Sequence, residues 1–284
     1  MTEKKDMVPT ERSKMRAKRA ERAQIITIAG GKGGIGKTFL ATNFGVALKN
    51  NGYRVLIFDA DINLSNVYLL LNVDSNRSFQ EFLQGKIHIY DVIQKGVGGV
   101  DVLYAGEDLE LIFSLNEDAF NTIASGLSQI ENEYDFIVID TQAGLTELNQ
   151  KLLLRSDRII LITTPEITAL VDLYKVIKVA AQAKTGLHFE IIVNRVQNAE
   201  HATRVYRKIS QTVSQFGIKS SLSLLGFIVE DQKRVVESIQ KRIPIILLHQ
   251  KGSISECLRI ITNSFLGRSR PKRKFPFFFG LLER

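Results

Sequence analysis

The run Gly30-Gly31-Lys32-Gly33-Gly34-Ile35-Gly36-Lys37-Thr38 limits what this chain can become more than any other stretch. It follows an apolar segment, Ile25–Ile28, and precedes a helical pattern from Phe39 to Lys49. Residues Gly31 to Thr38 fit G-x-x-x-x-G-K-[ST], and the strand–loop–helix context is the one in which that spacing binds phosphate. Glycines let successive backbone N–H groups converge on an anion that any Cβ would obstruct. The helix that follows adds the positive end of its dipole. Lys37 is placed to reach the β- and γ-phosphates, and the Thr38 hydroxyl to coordinate Mg²⁺.

The rest of the chain supplies a scaffold for such a loop. Strands are expected at Ile25–Ile28, Val55–Phe58, Val100–Tyr104, Phe136–Ile139, Ile159–Thr163, Glu190–Val193 and Leu222–Leu225, with a short one at Ile245–Leu248. Helical periodicity covers Phe39–Lys49, Leu115–Glu133, Ile167–Ala183, Ala199–Phe216, Asp231–Lys241 and Ser253–Phe265. This alternation predicts an α/β fold, a mostly parallel β-sheet with helices on both faces. Ligands of such sheets gather at the carboxyl ends of the strands, where the glycine loop lies. Three regions are expected: a basic N-terminal arm over 1–23, a nucleotide-binding domain over 24–266, and a basic, aromatic tail over 267–284.

Two further motifs fall at strand ends. In Phe58-Asp59-Ala60-Asp61 the acids alternate sides, so one can face the phosphates and the other the sheet. Asp61 is expected to orient or deprotonate the attacking water, and Asp59 to sit in the outer coordination shell of the metal. In Phe136-Ile137-Val138-Ile139-Asp140-Thr141-Gln142-Ala143-Gly144, four apolar positions precede an acid that would hold Mg²⁺ directly or through water. Gly144 gives the following loop freedom to respond to a γ-phosphate.

Charge and cysteine content exclude several classes. The net charge of +8 resides in the ends, since residues 1–22 carry +4 and residues 268–284 carry +5, leaving the body near neutral. That argues against a DNA-coating surface and for arms that touch something anionic. The single Cys257 cannot form an internal disulfide or hold an iron–sulfur cluster. No signal-like segment opens the chain and no apolar run approaches ~18 residues, so a cytoplasmic location is expected. A tyrosine-rich tail, which a kinase of this fold would carry, is not present.

Taken together, Lys32 within the glycine loop, Asp59-Ala60-Asp61 and Asp140-Thr141-Gln142-Ala143-Gly144 resemble the deviant-Walker ATPases of the MinD/ParA group. The resemblance spans about Gln24 to Phe265 and looks nearest to the flagellar branch, FlhG (also called YlxH). Asp59 to Leu71, Thr163-Thr164-Pro165-Glu166-Ile167-Thr168 with Asp172 and Tyr174, and Val193-Asn194-Arg195-Val196 carry that likeness. It implies a homodimer in the ATP state, with Lys32 reaching across to the partner's phosphates. Lys32, Lys37 and Asp61 would then serve catalysis. Gly31, Lys32, Gly33, Gly34, Ile35, Gly36, Lys37, Thr38 and Asn194 would hold ATP, with Asn194 at the adenine edge, and Thr38, Asp59 and Asp140 would serve Mg²⁺. Gly226-Phe227-Ile228-Val229-Glu230-Asp231 resembles the turn that flanks adenine. The implied partners are an FlhF-type GTPase or flagellar switch proteins. The chain departs from the pattern at Gln142 (usually Gly or Pro), Tyr68 (usually Asp) and Val229 (usually Pro), and the Gln142 departure is expected to slow hydrolysis. Its N-terminal arm also lacks the Asp-Gln-Ala motif that stimulates FlhF.

The tail joins Arg268, Arg270, Lys272, Arg273 and Lys274 to Phe275, Phe277, Phe278, Phe279, Leu281 and Leu282. Aromatics beside cations suit an anionic membrane surface, at about 1 kcal/mol per basic residue. The same residues would also suit packing onto the globule or onto a protein partner. The N-terminal arm, interrupted by acids, reads as a solvated or partner-binding segment. Regulation of flagellar number or placement is therefore one expectation, and a ParA-like DNA-partitioning ATPase is the alternative.

Overall fold

The structure, a computed structural model, describes residues 22–61, 66–73, 79–104 and 128–268. Eight strands form one sheet: β1 (Gln24–Ala29), β2 (Val55–Ala60), β3 (Gln94–Lys95), β4 (Asp101–Tyr104), β5 (Phe136–Thr141), β6 (Arg158–Thr163), β7 (His188–Val196) and β8 (Ser221–Val229). Their order is β3-β4-β2-β5-β1-β6-β7-β8. Every pairing is parallel except the two-residue edge strand β3, which runs antiparallel to β4. The expected α/β architecture is the one observed.

Helices are α1 (Lys37–Asn50), α2 (Val67–Leu70), α3 (Phe79–Leu83), α4 (Ile89–Val92), α5 (Glu147–Arg155), α6 (Ile167–Ala183), α7 (Ala199–Gln215), α8 (Gln232–Lys241), α9 (Ile245–Leu248) and α10 (Ser253–Leu266). The strands β1, β2, β5 and β6 are buried at every position, as strands covered on both faces must be. Alternate residues feed separate cores. Ile26, Ile28, Ile57 and Val138 pack with Leu40 and Phe44 of α1 and Leu258 and Ile261 of α10. On the other face, Ile137 and Ile139 meet Leu148 and Leu152 of α5, while Leu161 and Ile191 meet Leu173 and Ile177 of α6.

One expectation is corrected. Ile245–Leu248 is not a strand but the short helix α9. Four apolar residues in a row do not distinguish a buried strand from a buried helical turn. Pro244 immediately before them supplies a φ of −51°, which suits the start of a helix. The turn is then fixed by the side chains around it. Asn43 of α1 accepts the Ile246 N–H at 3.1 Å, and the Ser255 hydroxyl donates to the Ile245 carbonyl at 3.2 Å. Most of the expected helix at Leu115–Glu133, the N-terminal arm up to residue 21, and the tail from 269 onward lie outside the described residues. Among the described residues, no helix is long and apolar enough to cross a membrane.

Candidate functional site

The glycine loop leaves the carboxyl end of β1, between β5 and β6, and runs straight into α1. Gly36 caps that helix in the left-handed region, with φ 99°, and no side chain caps the first turn. The unpaired amides of that turn are thus available to an anion. A Cβ at Gly36 would stand 2.6 Å from Asn194 Nδ2, so glycine is required for both space and conformation. Gly31 is similarly confined, since its Cβ would meet the backbone of Asp172 in α6 at 2.3 Å.

Beyond the loop opens a cavity of about 640 Å³. Lys37, Thr38, Asp61, Gln142 and Asn194 are among the residues that line it. Apolar walls come from Phe39, Leu69, Ile228, Val229 and Ile254. This mix of apolar walls and a few convergent polar groups is what a nucleotide-sized ligand requires.

Electrostatically the site is unbalanced. Asp59 and Asp140 are opposite each other in the β2–β5 register, and both are fully buried. Burial pushes the Asp140 carboxyl well above the usual aspartate range, with Asp59 adding to the effect. The Thr38 side chain and the Lys37 charge pull it the other way. Even so, neither Asp140 oxygen has a hydrogen-bond partner among the described residues. An orphaned buried carboxylate at this position fits a cation. Mg²⁺ binds through one or two protein oxygens and takes the remainder from phosphate and water. Thr38 and Asp140 are the groups to hold it. Among the described residues, no three His, Cys, Asp or Glu side chains form a metal cluster by themselves. Burial lowers the Lys37 pKa, an effect opposed by Asp140 and then Asp61. Its Nζ lies 3.4 Å from the Lys32 carbonyl.

Two sequence-predicted residues are turned differently from the rest. Lys32 is not part of the cavity wall; its ammonium donates to Glu166 Oε2 at 2.7 Å and to Thr168 Oγ1 at 3.1 Å. Asn194 does line the cavity, yet its Nδ2 donates to the Ile35 carbonyl at 2.8 Å. Gly33, Gly34 and Gly36 are on the cavity wall, whereas Gly31 and Ile35 are packed behind it. Asp61 N–H donates to Asp59 Oδ1 at 3.1 Å, which links the two acids of that motif. Gln142 is buried; its Nε2 donates to Thr146 Oγ1 at 3.0 Å, and its carbonyl accepts from Asn149. Val229 lies on the cavity wall, and the Tyr68 ring stands 6.4 Å from that of Tyr104. Sequence reasoning gave no role to Arg195, whose guanidinium donates to the Gly34 carbonyl at 2.8 Å. Its position directly after Asn194 at a strand end was the available signal.

A glycine loop between a central parallel strand and a helix, faced by buried strand-end acids, defines a P-loop nucleotide-binding protein. A family profile described as an AAA domain matches residues 23–192, more than half of the chain. The antiactivator FleN of Pseudomonas aeruginosa is 27% identical over 77% of this chain and 78% of its own length. The flagellum site-determining protein YlxH of Helicobacter pylori is 30% identical over 72% of this chain and 69% of its own. The septum site-determining protein MinD of Pyrococcus horikoshii, solved with Mg-ADP, superposes with a TM-score of 0.67 at 27% identity. That superposition covers 86% of this chain and 96% of that one. The chain belongs to the MinD/ParA family of ATP-binding P-loop ATPases and is related to its flagellar members.

Proposed function

We propose that this chain is an ATPase that dimerises on binding ATP and returns to the monomer after hydrolysis. In the ATP state it attaches peripherally to the inner face of the cell membrane through residues 269–284. Its output is the number or placement of flagella, a reading that the name of the YlxH relative, a flagellum site-determining protein, supports. The partners that fit this role are an FlhF-type GTPase or flagellar switch proteins.

The observation that carries the reading is the division of labour between the two loop lysines. Lys37 is buried beside Asp140 and Asp61, where it can neutralise the bound phosphates. Lys32, five residues earlier in the same loop, is directed outward to an exposed ion pair and makes no part of its own cavity. A lysine held at the rim is available to the nucleotide of a second copy. ATP then acts as the link between subunits, because the anion is fully compensated only in the dimer. Asp61 on the cavity wall is the group to orient the attacking water. Asn194 shares that wall with Val229 and Glu230 and is the residue proposed to meet the base. Gln142, tied to Thr146, restrains the loop after β5, and hydrolysis is accordingly slow until a partner rearranges that loop.

Light scattering with Mg-ATP tests the proposal. Wild type should approach twice its monomer mass, Asp61→Ala should remain dimeric for longer, and Lys37→Ala should stay monomeric. A mass that ATP leaves unchanged in both wild type and Asp61→Ala rejects it. ATP-dependent, salt-sensitive retention on non-specific duplex DNA, without liposome binding, would instead assign a partitioning role.

A further inference from the structure

The phosphate loop is gripped by two adjacent residues at the end of β7, both of which also line the cavity. Asn194 Nδ2 donates to the Ile35 carbonyl at 2.8 Å, and Arg195 donates to the Gly34 carbonyl, also at 2.8 Å. The pair is locked internally, because the Arg195 N–H donates to Asn194 Oδ1 at 2.9 Å. Arg195 is one of three non-glycine residues with positive φ among the described residues, at 57°. An arginine in that region costs backbone energy, and such strain persists where surrounding contacts over-determine it. Here the contacts are the bond to Asn194 and the reach to the loop.

The consequence follows from peptide geometry. In a trans peptide the C=O and the next N–H point in opposite directions, and there is no cis bond among the described residues. Fixing the Gly34 carbonyl therefore fixes the direction of the Ile35 N–H. Fixing the Ile35 carbonyl does the same for the Gly36 N–H. These are amides of the loop that must converge on phosphate. We infer that Arg195 is a positioning residue for the phosphate cradle: from the cavity wall it grips the Gly34 carbonyl and presets the loop's amides before nucleotide arrives. This inference deepens the nucleotide-binding reading and rests on it. Preset amides need no reorganisation on binding, which is where such a clamp gains affinity.

Nucleotide binding by the full-length chain separates this account from its rivals. Calorimetric titrations with Mg-ATP and Mg-ADP would compare wild type with Arg195→Gly and Arg195→Lys, with nucleotide-free melting recorded alongside. Glycine adopts φ 57° freely, so Arg195→Gly should melt no lower than wild type. It should nevertheless bind ATP and ADP about tenfold more weakly, by similar factors, as loss of one charge-assisted hydrogen bond implies. Arg195→Lys keeps a donor and should recover part of the loss. Affinity in Arg195→Gly within about twofold of wild type overturns the inference. So does a loss confined to ATP and fully restored by lysine, which would assign Arg195 to charge attraction alone. Wild type binding neither nucleotide overturns the inference together with the reading beneath it.

Discussion

Lys32 Nζ sits 2.7 Å from Glu166 Oε2, joining the phosphate loop to the entry of α6 across 134 positions of sequence. The same ammonium reaches Thr168 Oγ1, and Gly31 packs on the Asp172 backbone, so the first turns of α6 form the loop's outer support. In the dimer proposed above, Lys32 leaves Glu166 for a phosphate of the second copy.

The Glu166 carboxyl reports on that contact. The hydrogen bond from Lys32, and then its charge, lower the Glu166 pKa below the ordinary glutamate range. A carboxyl with a depressed folded-state pKa keeps its favourable contact above the unfolded value and loses it as pH falls through the folded one. The pair should therefore stay intact from neutral pH down through pH 5 and open only below the usual value of about 4.3. Carbon-detected NMR of the Glu166 side chain would follow the titration. Lys32→Ala should return the inflection to the ordinary range, and an unchanged inflection in that variant would disprove the coupling.

Asp140 predicts how magnesium acts. Its buried oxygens have no hydrogen-bond partner among the described residues and burial disfavours its charged form, so a divalent ion bound there with ATP would stabilise the carboxylate. At a nucleotide concentration about 100 times Kd, binding stabilises the fold by ~2.7 kcal/mol, on the order of 5–10 °C in melting temperature for a domain of this size. In wild type, Mg²⁺ should enlarge the ATP-induced shift. In Asp140→Asn the shift with ATP should be the same with or without Mg²⁺. A magnesium increment that survives the substitution places the ion elsewhere.

Stability should depend heavily on a cluster remote from this site. Arg158, at the start of β6, donates through Nε to Glu190 Oε2 at 2.7 Å and through Nη1 to the Phe265 carbonyl at 2.8 Å. Its guanidinium also lies 3.5 Å from the centre of the Phe265 ring. Arg268 approaches the same Glu190 and donates to Ser223 Oγ. Both Arg158 and Glu190 are buried, and removing one partner of such a pair typically costs 3–5 kcal/mol. Glu190→Ala, which strands two cations, should lose about that much in urea denaturation. Arg158→Met with Glu190→Leu should recover most of it. If the double variant is as unstable as Glu190→Ala, buried charge is not the cause.

The parts of the structure that were legible in the sequence are those governed by local pattern. All seven of the runs other than Ile245–Leu248 became strands, and in β1, β2, β5 and β6 the run is buried on both faces. The glycine spacing located the loop, and of the strand-end acids Asp61 lies on the cavity wall. Contacts set by packing at long range were not legible. The four apolar residues of Ile245–Leu248 do not by themselves distinguish helix from strand; Pro244 before them favours a helical start, and Asn43 and Ser255, brought in by α1 and α10, fix the turn. Likewise Arg158, Glu190 and Arg268 read as ordinary charges until the sheet places them together. Arg195 was quoted within a motif, yet its grip on Gly34 depends on β6 separating β7 from β1 by one strand.

The anchoring of Arg268 also fixes where the tail should be cut. Because Arg268 bonds to Glu190, Ser223 and the Leu224 carbonyl, it belongs to the globule, and the separable segment begins at 269. Deleting 269–284 should leave nucleotide binding and the ATP-induced mass change intact, since the phosphate loop, Asp61 and Asn194 on the cavity wall all lie within 24–266. It should abolish co-sedimentation with anionic liposomes. Each basic residue near such a surface contributes about 1 kcal/mol, and two tails on one dimer bind with avidity that a single tail lacks. Wild type should accordingly sediment with liposomes in Mg-ATP, release in ADP, and lose binding as salt is raised. Binding that persists after the deletion, or that is equal in ATP and ADP, would remove the tail from the switch.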